Sequence, residues 1–363
     1  MSSKKDKFSS KDKYFMNLAI NLAKNHKGYT GENPSVGCVI VKNNKIISFG
    51  ATSLFGRPHA EVNALSNIKN CKNSTVYLTL EPCTHYGRTP PCTNSLIKAK
   101  VEKVIYSSDD LDLRTFNKSK KILSKKKIIV KSGLLINKSK KLYKNYNFSK
   151  KNMMPYVTGK LACSKNFKIY DYPGPITNNY SKKVTHILRS KNQCILTSYK
   201  TINIDNPKLD CRIDGIEKFS PIKIIVDKDL QIKKNSYVLF NGNRTLIFHS
   251  SRNISKLKYL KSLNVKTVYF KKDKNNLINL INILKYIHRL GISSVITEAG
   301  PIFLLNMLKQ NLINEFYLFK SNINISKNKA INVKNISKLL NNNYKYSKKV
   351  NTYLDKDSLL HYY

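Results

Sequence analysis

The residues best equipped for chemistry lie in two short stretches. In "GRPHAEVNALSNI" (56–68) His59 and Glu61 stand two positions apart, just after a Gly and a Pro. In "EPCTHYGRTPPC" (81–92) Cys83 and Cys92 follow directly on the apolar run "STVYLTL". One imidazole and two thiolates suit a catalytic zinc that keeps its fourth position for water. Cys92 falls where a helix should begin, and helix N-termini favour anionic thiolates, an argument that extends to Cys83. Glu61 need not bind metal. It can accept a proton from the activated water and pass it to a leaving amine. Each piece has a bland alternative. A lone histidine is more often structural than ligating, Cys38 and Cys71 have no obvious partners, and His85 could compete as a ligand or merely cap its loop. The ordered set carries more weight: H-x-E, a strand, then P-C and a second Cys is the zinc-deaminase pattern.

The elements that must position these residues read as α/β. "YFMNLAINLAK" (14–24) has helical apolar recurrence through Phe15, Leu18, Ala19 and Leu22. "SVGCVIVKNNKIISFG" reads as two strands around a turn at Asn43-Asn44. A helix follows His59, "STVYLTL" is a buried strand ending at Leu80, a helix runs from about Pro91 to Lys100, and "VEKVIYS" is the next strand. Alternation of this kind implies a sheet domain covered by helices. It ends at the Lys/Asn-rich run "KNYNFSKKNMM", which places a boundary near residue 150 and gives domains 1–150 and 151–363. In the second half, "PYVTGKLAC", "CILTS", "PIKIIVD", "RTLIFHS", "VKTVYF", "SSVITEAG" and "EFYLF" read as strands. Helices are expected around 180–189, 276–290 and 301–309, and the Lys/Asn tracts at 118–127 and 326–348 read as surface drift.

At 363 residues with 41% hydrophobic residues, the chain can build two cores. The 66 Lys and Arg against 21 Asp and Glu give a net charge of +45. Such a balance usually points to nucleic acid. Here the excess is mostly Lys, scattered beside Asn and Ile as an A+T-rich genome would produce, so it reads as drift that still attracts phosphorylated ligands. Seven irregularly placed cysteines argue against a disulfide framework and for a reducing cytosol. The start "MSSKKDKFSSKDKYF" lacks an apolar core for a signal peptide, and no run approaches the roughly 18 apolar residues of a membrane span.

Nucleoside and nucleic-acid deaminases usually set their cysteines two residues apart, whereas eight intervene between Cys83 and Cys92. With "NPSVGCVIV" and "HAEVNAL", this spacing resembles the riboflavin-biosynthesis bifunctional deaminase/reductase over essentially all of residues 11–150. The resemblance implies a cytidine-deaminase-like three-layer domain in which His59, Cys83 and Cys92 bind zinc and Glu61 is the proton shuttle. It further implies that Asn33 faces the pyrimidine and Arg88 meets the substrate phosphate, which a guanidinium can grip through two oxygens. Where the family carries Asp-Pro-Asn-Pro and later glycines, this chain reads "SDDLDLRTFNKSK", keeping Asp110.

The second half has no G-x-G-x-x-G. "SSVITEAGP", a buried strand, an acid and a small-residue turn into a helix, is by itself an ordinary strand-to-helix turn, although such a turn exposes N–H groups to phosphate. "YVTGKLACS", "HILRS", "CILTSYKTINIDNPKLDCR" and "VITEAGP" nevertheless follow the order of the reductase half of the same family, whose fold is similar to dihydrofolate reductase. The resemblance implies NADPH as cofactor. It implies that Arg189, Leu209, Arg212 and Glu298 contact the phosphorylated substrate, and that Ala162, Thr201, Asp205, Gly300, Pro301, Ile302, Phe303, Leu304, Leu305 and Asn306 line the cofactor. The family's Leu-Asp-Gly and Gly-Glu-Ser are replaced by "KNFKIYDYPGPIT", with Asn166-Phe167 at the Asp-Gly, and a glycine-bearing segment is replaced by "KSNINISKNKAIN" (320–332).

The expectation is therefore a cytosolic two-step enzyme acting on a small phosphorylated pyrimidine, with self-association implied by the family. Rival readings are a nucleic-acid deaminase with a basic C-terminal binding domain, an active deaminase fused to a degenerate reductase, and a non-catalytic zinc scaffold. The first must explain the cysteine spacing and the "TEAGP" half, and does so poorly.

Overall fold

A computed structural model describes residues 8–170, 174–240, 242–326 and 330–363. The chain divides into two compact units, Met1–Asn152 and Met153–Tyr363.

The first unit is built on a five-stranded sheet of order β2-β1-β3-β4-β5: β1 (Gly37–Lys42), β2 (Lys45–Ala51), β3 (Thr75–Leu80), β4 (Lys103–Ser108) and β5 (Ile129–Ser132). β1 and β2 form a hairpin in which Asn43 and Asn44 both adopt left-handed φ (50° and 61°), as the sequence predicts. β1 runs antiparallel to β3, while β3, β4 and β5 are parallel. Strand alternation supplies two cores. Val39, Val41, Tyr77 and Ile105 face α1 (Ser10–His26), whereas Cys38, Ile40, Val76, Leu78 and Val104 face the opposite layer. That layer contains α2 (Ala60–Ser66), α3 (Cys92–Lys98) and α4 (Ser119–Ser124), giving three layers. α1 lies so close to β1 that a Cβ on Gly37 would fall 1.9 Å from the Ala19 carbonyl oxygen; only glycine fits. α5 (Ile136–Leu142) and α6 (Lys144–Asn152) complete the unit.

The second unit is a nine-stranded sheet of order β11-β10-β9-β8-β12-β6-β13-β16-β15. Its parallel strands are β6 (Tyr156–Cys163), β8 (Cys194–Ser198), β9 (Ile222–Val226), β10 (Thr245–His249), β11 (Lys266–Tyr269), β12 (Ser294–Thr297) and β13 (Glu315–Lys320). β15 (Ser347–Lys349) and β16 (Ser358–Tyr362) extend it antiparallel. Cores again split by alternation, with Cys194, Leu196, Ile224 and Val295 on one face and Ile195, Ile225 and Ile296 on the other. The helices are α7 (Asn179–Ser190), α8 (Tyr199–Asp205), α9 (Ile254–Ser262), α10 (Leu280–Arg289), α11 (Pro301–Lys309) and α12 (Lys334–Asn343). β7 (Lys168–Tyr170) pairs antiparallel with β14 (Ala330–Asn332) as a separate ribbon.

The run "KNYNFSKKNMM" at the expected boundary is mostly helix α6. The tract 118–127 contains α4, and 326–348 contains α12. In the last two, sparse apolar residues (Leu123, and Ile336 with Leu340) are buried against a core and override the polar composition. Among the described residues no helix is long and apolar enough to cross a membrane.

Candidate functional site

The three predicted zinc ligands converge because three element ends meet. His59 is the N-cap of α2, Cys83 lies just beyond the end of β3, and Cys92 is the first residue of α3. The donor atoms of His59, Cys83 and Cys92 lie within 4.8 Å of one another, and among the described residues no other group of three such side chains does so. His59 Nδ1 stands 3.3 Å from Cys92 Sγ and 3.8 Å from Cys83 Sγ. A tetrahedral zinc with bonds of about 2.3 Å to sulfur and about 2.0–2.1 Å to nitrogen sets such donors about 3.6–3.8 Å apart, so the set fits the ion. The other ring nitrogen, Nε2, is buried with no hydrogen-bond partner. The Cys92 backbone N–H, at the start of α3, donates to Cys83 Sγ at 3.2 Å. Hydrogen bonding from the Cys92 side chain, then from His59 and this N–H, brings the Cys83 pKa down to about 4 despite burial.

Glu61 lies in the first turn of α2 and is buried. Burial and the neighbouring Cys83 charge raise its pKa. His85 is not in the cluster; its Nδ1 lies 3.2 Å from Thr115 Oγ1, so it braces a loop. Asn33 donates through Nδ2 to the Gly56 carbonyl at 3.0 Å, on the loop leading to His59. Gly56 has φ +95°, and a Cβ there would meet Thr30 O and Asn33 Nδ2. Arg88 is exposed on the β3–α3 loop, and Arg57 reaches that loop by donating to Thr89 Oγ1.

In the second unit a cavity of about 1350 Å³ opens over the carboxyl ends of the parallel strands, where ligands of open α/β sheets bind. Ala162, Arg189, Leu209, Arg212 and Glu298 line it, as do Thr201, Asp205, Gly300, Pro301, Ile302, Phe303 and Asn306. Leu304 and Leu305 do not. α11 turns them away, Leu304 fully into the core and Leu305 against it, because successive helical residues point about 100° apart. The Gly300 N–H donates to Thr201 Oγ1 at 2.9 Å, tying the α11 turn to α8. Arg189 and Glu298 form a bidentate pair, with Lys160 Nζ 3.7 Å from the same carboxylate. Arg212 is paired with Asp210. Lys160 escaped the sequence reading. Its signal was a lysine at an inward position of the strand "YVTGKLAC", and burial lowers its pKa.

Comparison with known proteins agrees with both halves. Residues 9–108 match the cytidine and deoxycytidylate deaminase zinc-binding region, and residues 156–323 match the RibD C-terminal domain. The riboflavin biosynthesis protein RibD of Aquifex aeolicus is 35% identical over 312 residues, covering 85% of this chain and 86% of that protein. The chain belongs to the RibD family. It is a zinc-dependent deaminase joined to a reductase of riboflavin biosynthesis. Among solved structures, Acinetobacter baumannii RibD matches with a TM-score of 0.85 at 27% identity, over 97% of this chain and 98% of that one. A Thermotoga maritima diaminohydroxyphosphoribosylaminopyrimidine deaminase/5-amino-6-(5-phosphoribosylamino)uracil reductase matches with a TM-score of 0.78 at 26% identity, over the same shares.

Against RibD, the altered loops acquire structural accounts. In the stretch 109–119, the buried Glu81 carboxylate accepts from the N–H groups of Asp110, Asn117 and Ser119 and from the Ser119 hydroxyl, so it holds the loop without the family's Pro and Gly. In the reductase, Phe167 takes φ +57° at the glycine position. Asn166 donates to Ile325 O at 2.9 Å and accepts from Ile325 N–H at 3.2 Å, joining the two altered stretches, which pair again as β7 and β14. Of these stretches (165–175 and 320–332), residues 171–173 and 327–329 lie outside the described residues.

Proposed function

We propose that the first unit deaminates 2,5-diamino-6-ribosylamino-4(3H)-pyrimidinone 5′-phosphate. The second then reduces the ribosyl group of 5-amino-6-(5-phosphoribosylamino)uracil to ribityl with NADPH. The juxtaposition of the His59/Cys83/Cys92 donor set with the buried Glu61 carries this reading. These three side chains would hold zinc, whose Lewis acidity makes water a usable nucleophile at neutral pH. Glu61 would take the proton from that water as its oxygen bonds to C2 and pass it to the ring nitrogen, then take the hydroxyl proton and deliver it to the amino group, so that ammonia departs as the C2 carbonyl forms. Asn33 orients the ring and Arg88 takes the phosphate.

In the second unit a bound nicotinamide would supply hydride for reduction at C1′. Arg189, Leu209, Arg212 and Glu298 orient the substrate. Ala162, Thr201, Asp205 and residues 300–303 with Asn306 shape the cofactor side. Lys160, beside Glu298, would counter negative charge developing on the sugar oxygen. A cytoplasmic location and self-association belong to the same proposal. The test follows ammonia release and NADPH oxidation together on the diaminopyrimidine ribosyl phosphate. Both signals are expected. Ammonia without NADPH oxidation, with NADPH still unoxidised when the deaminated intermediate is supplied directly, would overturn the reductase reading.

A further inference from the structure

The matched deaminase region stops at residue 108, yet the unit continues through α5 and α6. We propose that Tyr143, Tyr146 and Lys150 form a brace that positions the two substrate-side loops of the zinc site, with Tyr143 fixing the loop that bears Asn33. The spacings of three and four residues place these side chains on one helical face. The Asn147 N–H bonds to Tyr143 O at 2.8 Å, so Tyr143 shares the first turn of α6.

Tyr143 is almost fully buried, and its hydroxyl sits 2.5 Å from Thr79 Oγ1 and 3.2 Å from Ser35 O. The Gly37 N–H donates to Thr79 Oγ1 at 2.9 Å. Directions follow from the partners: Gly37 donates to Thr79, Thr79 to Tyr143, and Tyr143 to the Ser35 carbonyl. The relay closes a ring around Ser35–Gly37, two residues from Asn33. Within the ring, Ser35 Oγ donates to Ala23 O and the Val36 N–H to Thr52 Oγ1. A buried hydrogen-bond chain strengthens itself when complete and is costly when broken.

The second arm of the brace is independent. Tyr146 Oη donates to Asp110 Oδ1 at 2.8 Å, and Lys150 Nζ meets Asp112 Oδ2 at 2.8 Å. That loop leans on the zinc-ligand loop, where Thr84 Oγ1 donates to Arg114 O at 2.9 Å and His85 meets Thr115.

This inference rests on Asn33 as a pyrimidine contact, and the test separates the two. In the full-length, zinc-loaded chain, Tyr143→Phe should raise the deaminase KM about five- to tenfold, the worth of one buried hydrogen bond, with kcat held within about twofold. Zinc stoichiometry and the rate of the reductase half-reaction should not change. Thr79→Val should mimic Tyr143→Phe, and Thr79→Ser should restore the KM. In an Asn33→Ala background, Tyr143→Phe should add no further rise. A lowered Tm with unchanged KM would make Tyr143 a core residue only and overturn the brace. Fully multiplicative effects in the double variant would overturn the route through Asn33. If Asn33→Ala itself leaves KM unaltered, the Asn33 reading fails; Tyr143→Phe then supports the brace by raising KM and overturns it by not doing so. Should Tyr143→Phe not fold, Lys150→Met tests the second arm. A rise in KM of about two- to threefold supports it, and no rise overturns it.

Discussion

Arg189 holds Glu298 through two parallel hydrogen bonds, Nε to Oε1 at 2.7 Å and Nη2 to Oε2 at 3.0 Å, with both side chains largely buried. Burial alone would raise the Glu298 pKa, but the charges of Arg189 and Lys160 bring it to about 2. A depressed folded-state pKa contributes stability that is present above the usual glutamate range near 4.3 and is lost as pH falls toward about 2. Glu298→Gln leaves Arg189 and Lys160 without their counter-charge. It should cost about 3–5 kcal/mol in urea unfolding of the second unit and abolish NADPH oxidation, while ammonia release persists. Retained NADPH turnover would show that the carboxylate does not act at the substrate.

Glu61→Gln should keep one zinc per chain and lower ammonia release by about 10²–10⁴-fold, the usual worth of a positioned acid–base group. Cys83→Ser should instead lose the metal, measured by atomic absorption. The reductase half-reaction should survive both. Normal deamination by zinc-loaded Glu61→Gln would remove the shuttle role.

Asp110 titrates in the opposite sense to Glu298. It is buried beneath the loop after β4, and burial raises its pKa to about 6, only partly offset by the Asp112 N–H and the Tyr146 hydroxyl. In the unfolded chain it would ionise near pH 3.9. The native protein therefore holds the extra proton between about pH 4 and 6, and this contribution to stability falls as pH rises through that window. Asp110→Asn keeps an oxygen acceptor and removes the titration. Its urea midpoint should gain on that of the parent chain as pH rises from about 4.5 to 7, and parallel midpoint curves would contradict the assignment.

Asn166, at the position of the family's Asp, ties the turn before β7 to the segment around Ile325. Asn166→Ala should raise the KM for NADPH several-fold, at about 1 kcal/mol per lost hydrogen bond, and leave ammonia release unchanged. An unaltered KM would mean that the tie does not shape the cofactor mouth.

Much of this could be read from the chain because the deciding signals are local. The Asn43-Asn44 turn, the alternating strands and the ordered H-x-E and P-C segments depend on neighbours within a few residues, where backbone preference and side-chain period act directly. The predicted zinc set belongs to this class: each of its residues marks the end of a recognisable element, and bringing those ends together brings the donors together. Other features were settled only by folding. The Arg189–Glu298 pair joins residues 109 apart, and the Tyr143–Ser35 contact joins residues 108 apart; no local pattern encodes either. Helix phase turned Leu304 and Leu305 from the cavity to the core, although a run of consecutive residues carries no phase of its own. α6 lies in a Lys/Asn-rich run whose Tyr146 and Lys150 find partners in Asp110 and Asp112 across the unit, which composition cannot reveal. The sequence by itself determined which side chains are candidates for the chemistry, and only the tertiary structure decided which of them face one another.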